Sequence, residues 1–288
     1  MQNKTLPLAL KAAACVLAMT FGYGALGAAS AAPIPISFTW NPDALGLGSP
    51  QFTANFFDLD DFATISVPAN PSAPGAVSET GYLLPTTFLD NGTTVSVANA
   101  PLPGSWGIYE QFTATSHLSS CSTGLCGAFD SVTANVYAYS TASGVASVSF
   151  SSSHMPVLTL PGGVTPTLIA TETGPIGSSP NVAQITSGVP TASVDTAFTP
   201  TAAGAGFFVS PTFDMVLDLD QSFTNTTGAI TTFPSPCGPI PGTACIFEIN
   251  AGGGNGNFYR IGVPEPRTLA VLGIGVLGLG LVRRRRNA

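Results

Sequence analysis

From residue 32 to residue 262, proline and glycine recur so often that no helical period survives beyond a turn or two. Four stretches, 67–75, 156–166, 174–180 and 234–242, are dense enough in breakers to interrupt any regular element. What lies between them alternates. In 131–141, Val132, Ala134, Val136 and Ala138 alternate with Ser131, Thr133, Asn135, Tyr137 and Tyr139. In 144–150, Ala146, Val148 and Phe150 alternate with Val145, Ser147 and Ser149, and in 213–219 Phe213, Met215, Leu217 and Leu219 alternate with Asp214, Val216 and Asp218. Successive side chains of a strand point to opposite faces, so a period of two marks strands with one buried face. The expected fold class is all-β, a single antiparallel β-sandwich or jelly roll of short strands. Gly252-Gly253-Gly254-Asn255-Gly256 reads as a tight turn or bulge before a last strand over 258–263, or as the start of a flexible spacer.

The two ends follow other rules. Residues 1–31 have the order of a secretory signal peptide: Lys4 and Lys11, an apolar run from Ala12, then Ala29 and Ala31 at the −3 and −1 positions of a cleavage site. Cutting after Ala31 is favoured because a cut after Ala32 places Pro33 just past the scissile bond. Cys15 has no leucine at a lipobox position, which argues against a lipid-anchored start. At the other end, Val263-Pro264-Glu265-Pro266 precedes an apolar run over 269–282 and then Arg283, Arg284, Arg285 and Arg286. A helix over that run spans roughly 21 Å, short of the ~30 Å hydrocarbon core. Gly273, Gly275, Gly278 and Gly280 weaken it further, and the arginines hold the tail on the cytoplasmic side. Such a helix is expected to be a temporary stop in the inner membrane, not a lifelong anchor.

Removal of both ends changes the charge picture. The whole chain carries −7, but Arg260 is the one basic residue in 32–263, against fourteen carboxylates, which leaves that part at −13. With no lysine it has no cationic patch for phosphates, so nucleic acid is excluded as a partner. Four cysteines remain, as the close pairs Cys121/Cys126 and Cys237/Cys245. In an exported chain these spacings favour two local disulfides over a zinc site.

Pro264-Glu265-Pro266, a glycine-rich span and a terminal arginine cluster, in that order, resemble the PEP-CTERM sorting signal of Gram-negative bacteria. The resemblance covers 263–288 and divides the chain into signal peptide 1–31, secreted β-rich domain 32–262 and sorting signal 263–288. It implies processing near the Pro-Glu-Pro motif by an exosortase, which removes the hydrophobic tail much as a glycolipid-anchor signal is removed.

Catalytic signatures are scarce. The secreted part holds no G-x-S-x-G elbow, H-E-x-x-H, P-loop or dinucleotide fingerprint, and its imidazoles are His117 and His154 alone. Both are read as plain surface or strand residues. Asp58/Asp60 and Asp218/Asp220 are D-x-D arrangements whose carboxylates share one side of a strand, a candidate calcium site set against the plainer reading of a solvated acidic face. Trp40, Trp106 and Tyr109 suit either a sugar-stacking platform or a buried core. The sequons at Asn91 and Asn225 are read as a turn and a strand end.

The secreted part more loosely resembles the flocculation-associated PEP-CTERM proteins, through Phe38-Thr39-Trp40, the 206–211 segment, Phe223-Thr224-Asn225 and the 252–258 segment. That resemblance implies a non-enzymatic protein of the cell surface or extracellular matrix that aggregates cells, in flocs or biofilm, through exopolysaccharide. The alternative is a secreted carbohydrate-binding module or carbohydrate-active enzyme. No cofactor is expected apart from the calcium under consideration.

Overall fold

The structure, a computed structural model, describes residues 34–100, 106–176, 181–210, 217–233 and 244–260. They form the all-β, antiparallel domain that the alternation demands. Its main strands are β1 (Phe56–Val67), β2 (Val77–Asp90), β3 (Trp106–Cys121), β4 (Gly124–Ser140), β5 (Thr167–Gly174), β6 (Val189–Pro200), β7 (Leu217–Thr224) and β8 (Cys245–Arg260). Each pairs antiparallel with the next. β8 then pairs with β1, from Cys245 opposite Val67 to Gly256 opposite Phe57, and the sheet closes on itself. The layers that a sandwich packs face to face are here opposite walls of one up-and-down barrel, and closure leaves this ring no open edge.

Two features depart from the sequence reading. β3 and β4 run 16 and 17 residues, longer than the density of breakers suggests. The glycine-rich segment is neither turn nor spacer, because it lies inside β8; the bulge falls just before it, between Ile249 and Gly252. The inward positions 252, 254 and 256 must lack side chains there. A Cβ on Gly256 would stand 2.2 Å from the Phe57 ring, and one on Gly254 would stand 2.5 Å from Leu59 Cδ1.

Barrels of eight strands have interiors just wide enough for side chains to fill. One end here is plugged by aromatics. A three-stranded sheet of Phe38–Trp40, Phe52–Ala54 and Phe208–Ser210 places Trp40 against Phe88, Phe57, Phe258 and Trp106. Trp40, Trp106 and Tyr109 are all buried, so the core reading of these aromatics is the right one. At the far end the strand Val182–Thr186 bridges β4 and β6, and its Ala183 and Ile185 line a small cavity with Leu118, Phe129 and Ile249. On the outer wall, the hairpin Ser147–Phe150 and Pro156–Thr159 carries Val148 and Leu158 over Tyr109 and Tyr139.

Local chemistry at the turns follows the sequence. Cys121 and Cys126 form a disulfide across the β3–β4 turn. Cys245 is also disulfide-bonded, and Cys237 lies outside the described residues. Asn91 and Gly92, both at positive φ, make the two-residue hairpin turn after β2. Among the described residues no helix is long and apolar enough to cross a membrane, and the signal-peptide, sorting and arginine residues lie outside them.

Candidate functional site

Alternation along β3, β4 and β5 gives the barrel wall two different chemistries. Outward positions are hydroxyls and amides. Across three neighbouring strands, Gln111, Asn135 and Thr171 stand opposite one another, and so do Thr113, Thr133 and Thr173. Thr80 of β2 extends the second row, and Thr115 with Ser131 begins a third. Thr113 Oγ1 and Thr133 Oγ1 are 2.9 Å apart and Thr115 Oγ1 and Ser131 Oγ 2.7 Å, so hydroxyls bond across strands and lie ordered. Gln111, Thr113, Thr133, Asn135 and Thr173 are exposed. With Thr171 they line a shallow groove of about 360 Å³. No exposed side chain of this terrace carries a charge; Glu172, which also borders the groove, is buried.

Inward positions on the same strands include carboxyl groups. Glu110 of β3 lies between inward Ile108 and Phe112, and Glu172 of β5 follows inward Ala170; they are 5% and 1% exposed. Asp61 of β1 is 2% exposed, and Glu79 of β2 is half-buried. Gln221 Nε2 donates to Glu110 Oε2 at 2.8 Å, and Thr196 Oγ1 donates to Glu172 Oε2 at 2.8 Å. Burial pushes the Asp61 carboxyl up to about 7, with the Glu110 charge adding to it, and pushes Glu79 up to about 8, with Asp61 adding. Burial also raises Glu172 to about 7 and holds Glu110 well above the carboxylate range, where Glu172 beside it adds to the effect. Glu79 lines two small cavities of about 30 and 20 Å³, one shared with Asp61 and Asn225, the other with Glu110 and Gln221.

The D-x-D pairs come together in an unexpected way. Asp58 and Asp60 lie on β1 opposite Asn255 and Gly253, while Asp218 and Asp220 lie on β7 opposite Tyr259 and Asn257. Both pairs therefore flank β8. Two strand spacings, roughly 10 Å, separate β1 from β7 across it, and among the described residues no group of three or more His, Cys, Asp or Glu could hold a metal ion. Burial raises the pKa of Asp60.

Both histidines meet a carboxylate in a contact that pins the chain. His117 Nδ1 meets Asp130 Oδ1 at 2.8 Å, and Asp130 Oδ2 accepts the Gly75 N–H at 2.6 Å, tying the loop after β1 to the β3–β4 hairpin. That backbone bond, followed by the His117 contact, lowers the Asp130 pKa. His154 Nδ1 meets Glu248 Oε1 at 2.7 Å and its ring packs on Phe233. Asn225 is buried, its Nδ2 donating to Pro190 O.

The terrace and the inward carboxyls escaped the sequence reading. A signal for the latter existed, since Asp61, Glu110 and Glu172 each fall in phase with apolar residues two positions away. Comparison with protein-family models, characterised proteins and solved structures finds no match for this chain.

Proposed function

We propose that this chain is an exported, exosortase-processed structural or adhesive protein of the extracellular matrix, which promotes cell aggregation by holding exopolysaccharide. The observation that carries the reading is the charge-free terrace over β3–β5, where ordered hydroxyl and amide groups repeat at the strand spacing along a groove of about 360 Å³. A surface of this kind offers many weak hydrogen bonds to a hydroxyl-rich polymer and no charge for it to desolvate. The PEP-CTERM resemblance of 263–288 supports export and processing, and the −13 charge of the secreted part keeps it soluble.

The alternative, a carbohydrate-active enzyme, needs its carboxylates where a sugar enters. Asp61, Glu79 and Glu110 open onto cavities of about 30 and 20 Å³, far below the roughly 300 Å³ at which ligand pockets begin, and Glu172, which borders the groove, is 1% exposed and has no second carboxyl beside it there. The test is retention of the purified protein on neutral, hydroxyl-rich exopolysaccharide. Thr113→Val with Thr133→Val and Asn135→Ala keeps strand-compatible residues while removing three polar partners. At about 1 kcal/mol each, retention should weaken by roughly 100-fold. Unchanged retention, or release of reducing sugar by the wild type, overturns the proposal.

A further inference from the structure

Among the described residues, the cavities of the barrel interior are lined by acids and no bases. Asp61 of β1, Glu79 of β2, Glu110 of β3 and Glu172 of β5 face inward, and no lysine, arginine or histidine lines the two cavities among them. β4 opposes these acids with Val132, Ala134 and Val136, β6 with Val194 and Thr196, β7 with Gln221, and β8 with Gly252, Gly254 and Gly256. Asp195 falls between the inward Val194 and Thr196 and so takes the outer face.

Hydrogen bonding within this cluster is short of donors. Glu172 Oε1, Asp61 Oδ1 and Asn225 Oδ1 are buried acceptors that no N–H or hydroxyl reaches. Such atoms are costly unless something supplies a proton. Asp61 and Asn225 share the larger cavity. Burial, and then the Glu172 charge beside it, holds Glu110 in the acid form. Gln221 satisfies Glu110 Oε2 and Thr196 satisfies Glu172 Oε2, so each of these two acids has one oxygen held by a donor. Cavities of about 30 and 20 Å³ hold a water each and not the six to eight oxygens of a calcium shell.

We infer that the interior is a proton store: the barrel closes with Glu110 and Asp61 in the acid form, and their ionisation in mildly alkaline surroundings loosens it. The sign follows from linkage. Unfolded carboxyls ionise near 4, whereas the folded barrel keeps protons to about 7 on Asp61 and about 8 on Glu79. Over that window the folded state binds more protons than the unfolded one, so stability falls as pH rises through it and levels off above.

The experiment is thermal melting of the full-length chain in mild detergent from pH 5 to pH 9, with infrared detection of the carboxylic-acid carbonyl band. Wild-type Tm should fall by more than about 10 °C over this range, and the acid band should fade in parallel. Glu110→Gln mimics the acid form and accepts from Gln221, and Asp61→Asn does the same toward Asn225. Each should leave Tm at pH 5 nearly unchanged and raise it at pH 9. A flat wild-type profile, or the absence of an acid band at pH 6, overturns the inference without recourse to any variant. So does a millimolar calcium or sodium effect that restores the pH 9 Tm in wild type and not in Asp61→Asn, because the interior would then be a cation site.

Discussion

Gly107→Ala is the sharpest test of the outer wall. Gly107 of β3 faces Tyr139 of β4, and the tyrosine ring lies across the space where a side chain would stand. A Cβ there would be 2.0 Å from Tyr139 Cζ and 2.2 Å from Cε1. The ring has little freedom to retreat. Its hydroxyl donates to Asn99 Oδ1 at 2.7 Å and accepts the Ala146 N–H at 2.9 Å, and the residue is 1% exposed. Relief of the overlap requires a shift of more than about 1 Å, which breaks both bonds. Overpacking costs about 1–3 kcal/mol, and two hydrogen bonds add about 1 kcal/mol each. Gly107 does not sit at positive φ, so alanine returns about 0.4–1 kcal/mol by restricting the unfolded chain. The net loss is about 3 kcal/mol, or a Tm lower by roughly 6–12 °C for a domain of this size. Calorimetry at pH 5, where the interior carboxyls hold their protons, reads it directly. In a Tyr139→Leu background no ring atoms occupy that space, and Gly107→Ala should be neutral or slightly stabilising. Equal costs in both backgrounds, or a Tm change under about 2 °C in the first, would refute the reasoning.

Replacing Cys121 and Cys126 by serine opens a bridge of sequence separation 5. Chain entropy assigns such a loop about 2 kcal/mol, so Tm should drop by roughly 4–8 °C, and an unchanged Tm would show that the tight β3–β4 turn survives without the bond. If the D-x-D pairs that flank β8 bridge neighbouring molecules through calcium, millimolar calcium should raise Tm and self-association more than sodium chloride of equal ionic strength. Asn at 58, 60, 218 and 220 should abolish the difference; equal effects of the two salts would leave these acids as a solvated face.

How much of this was readable beforehand differs from feature to feature. The period of two in 131–141 correctly gave the inward Val132, Ala134, Val136 and Ala138 of β4, because alternation is a property of the strand itself. The Cys121–Cys126 bridge was readable for a similar reason, since both ends lie within one turn. The turn and spacer readings of the β8 glycines failed, and only the bulge, between Ile249 and Gly252, is present. Absence of a side chain gives the same signal in a turn and under a close approach, and only the rings of Phe57 and Phe223 distinguish the two.

By itself, then, the sequence determined what is local: strands in place of helices, which residues of each strand share a face, a short-loop disulfide, and a stretch over 32–263 almost without cations. Tertiary structure alone decided which strands became neighbours. Pairing of β8 with β1 closes the sheet, brings Gln221 to Glu110 across 111 residues, and sets the two D-x-D pairs on either side of one strand. Each strand carries the same kind of edge, a row of N–H and C=O groups, so local pattern cannot name its partner. Register is chosen by how all the inward faces pack at once, and that choice set buried Asp61, Glu110 and Glu172 and half-buried Glu79 around one interior.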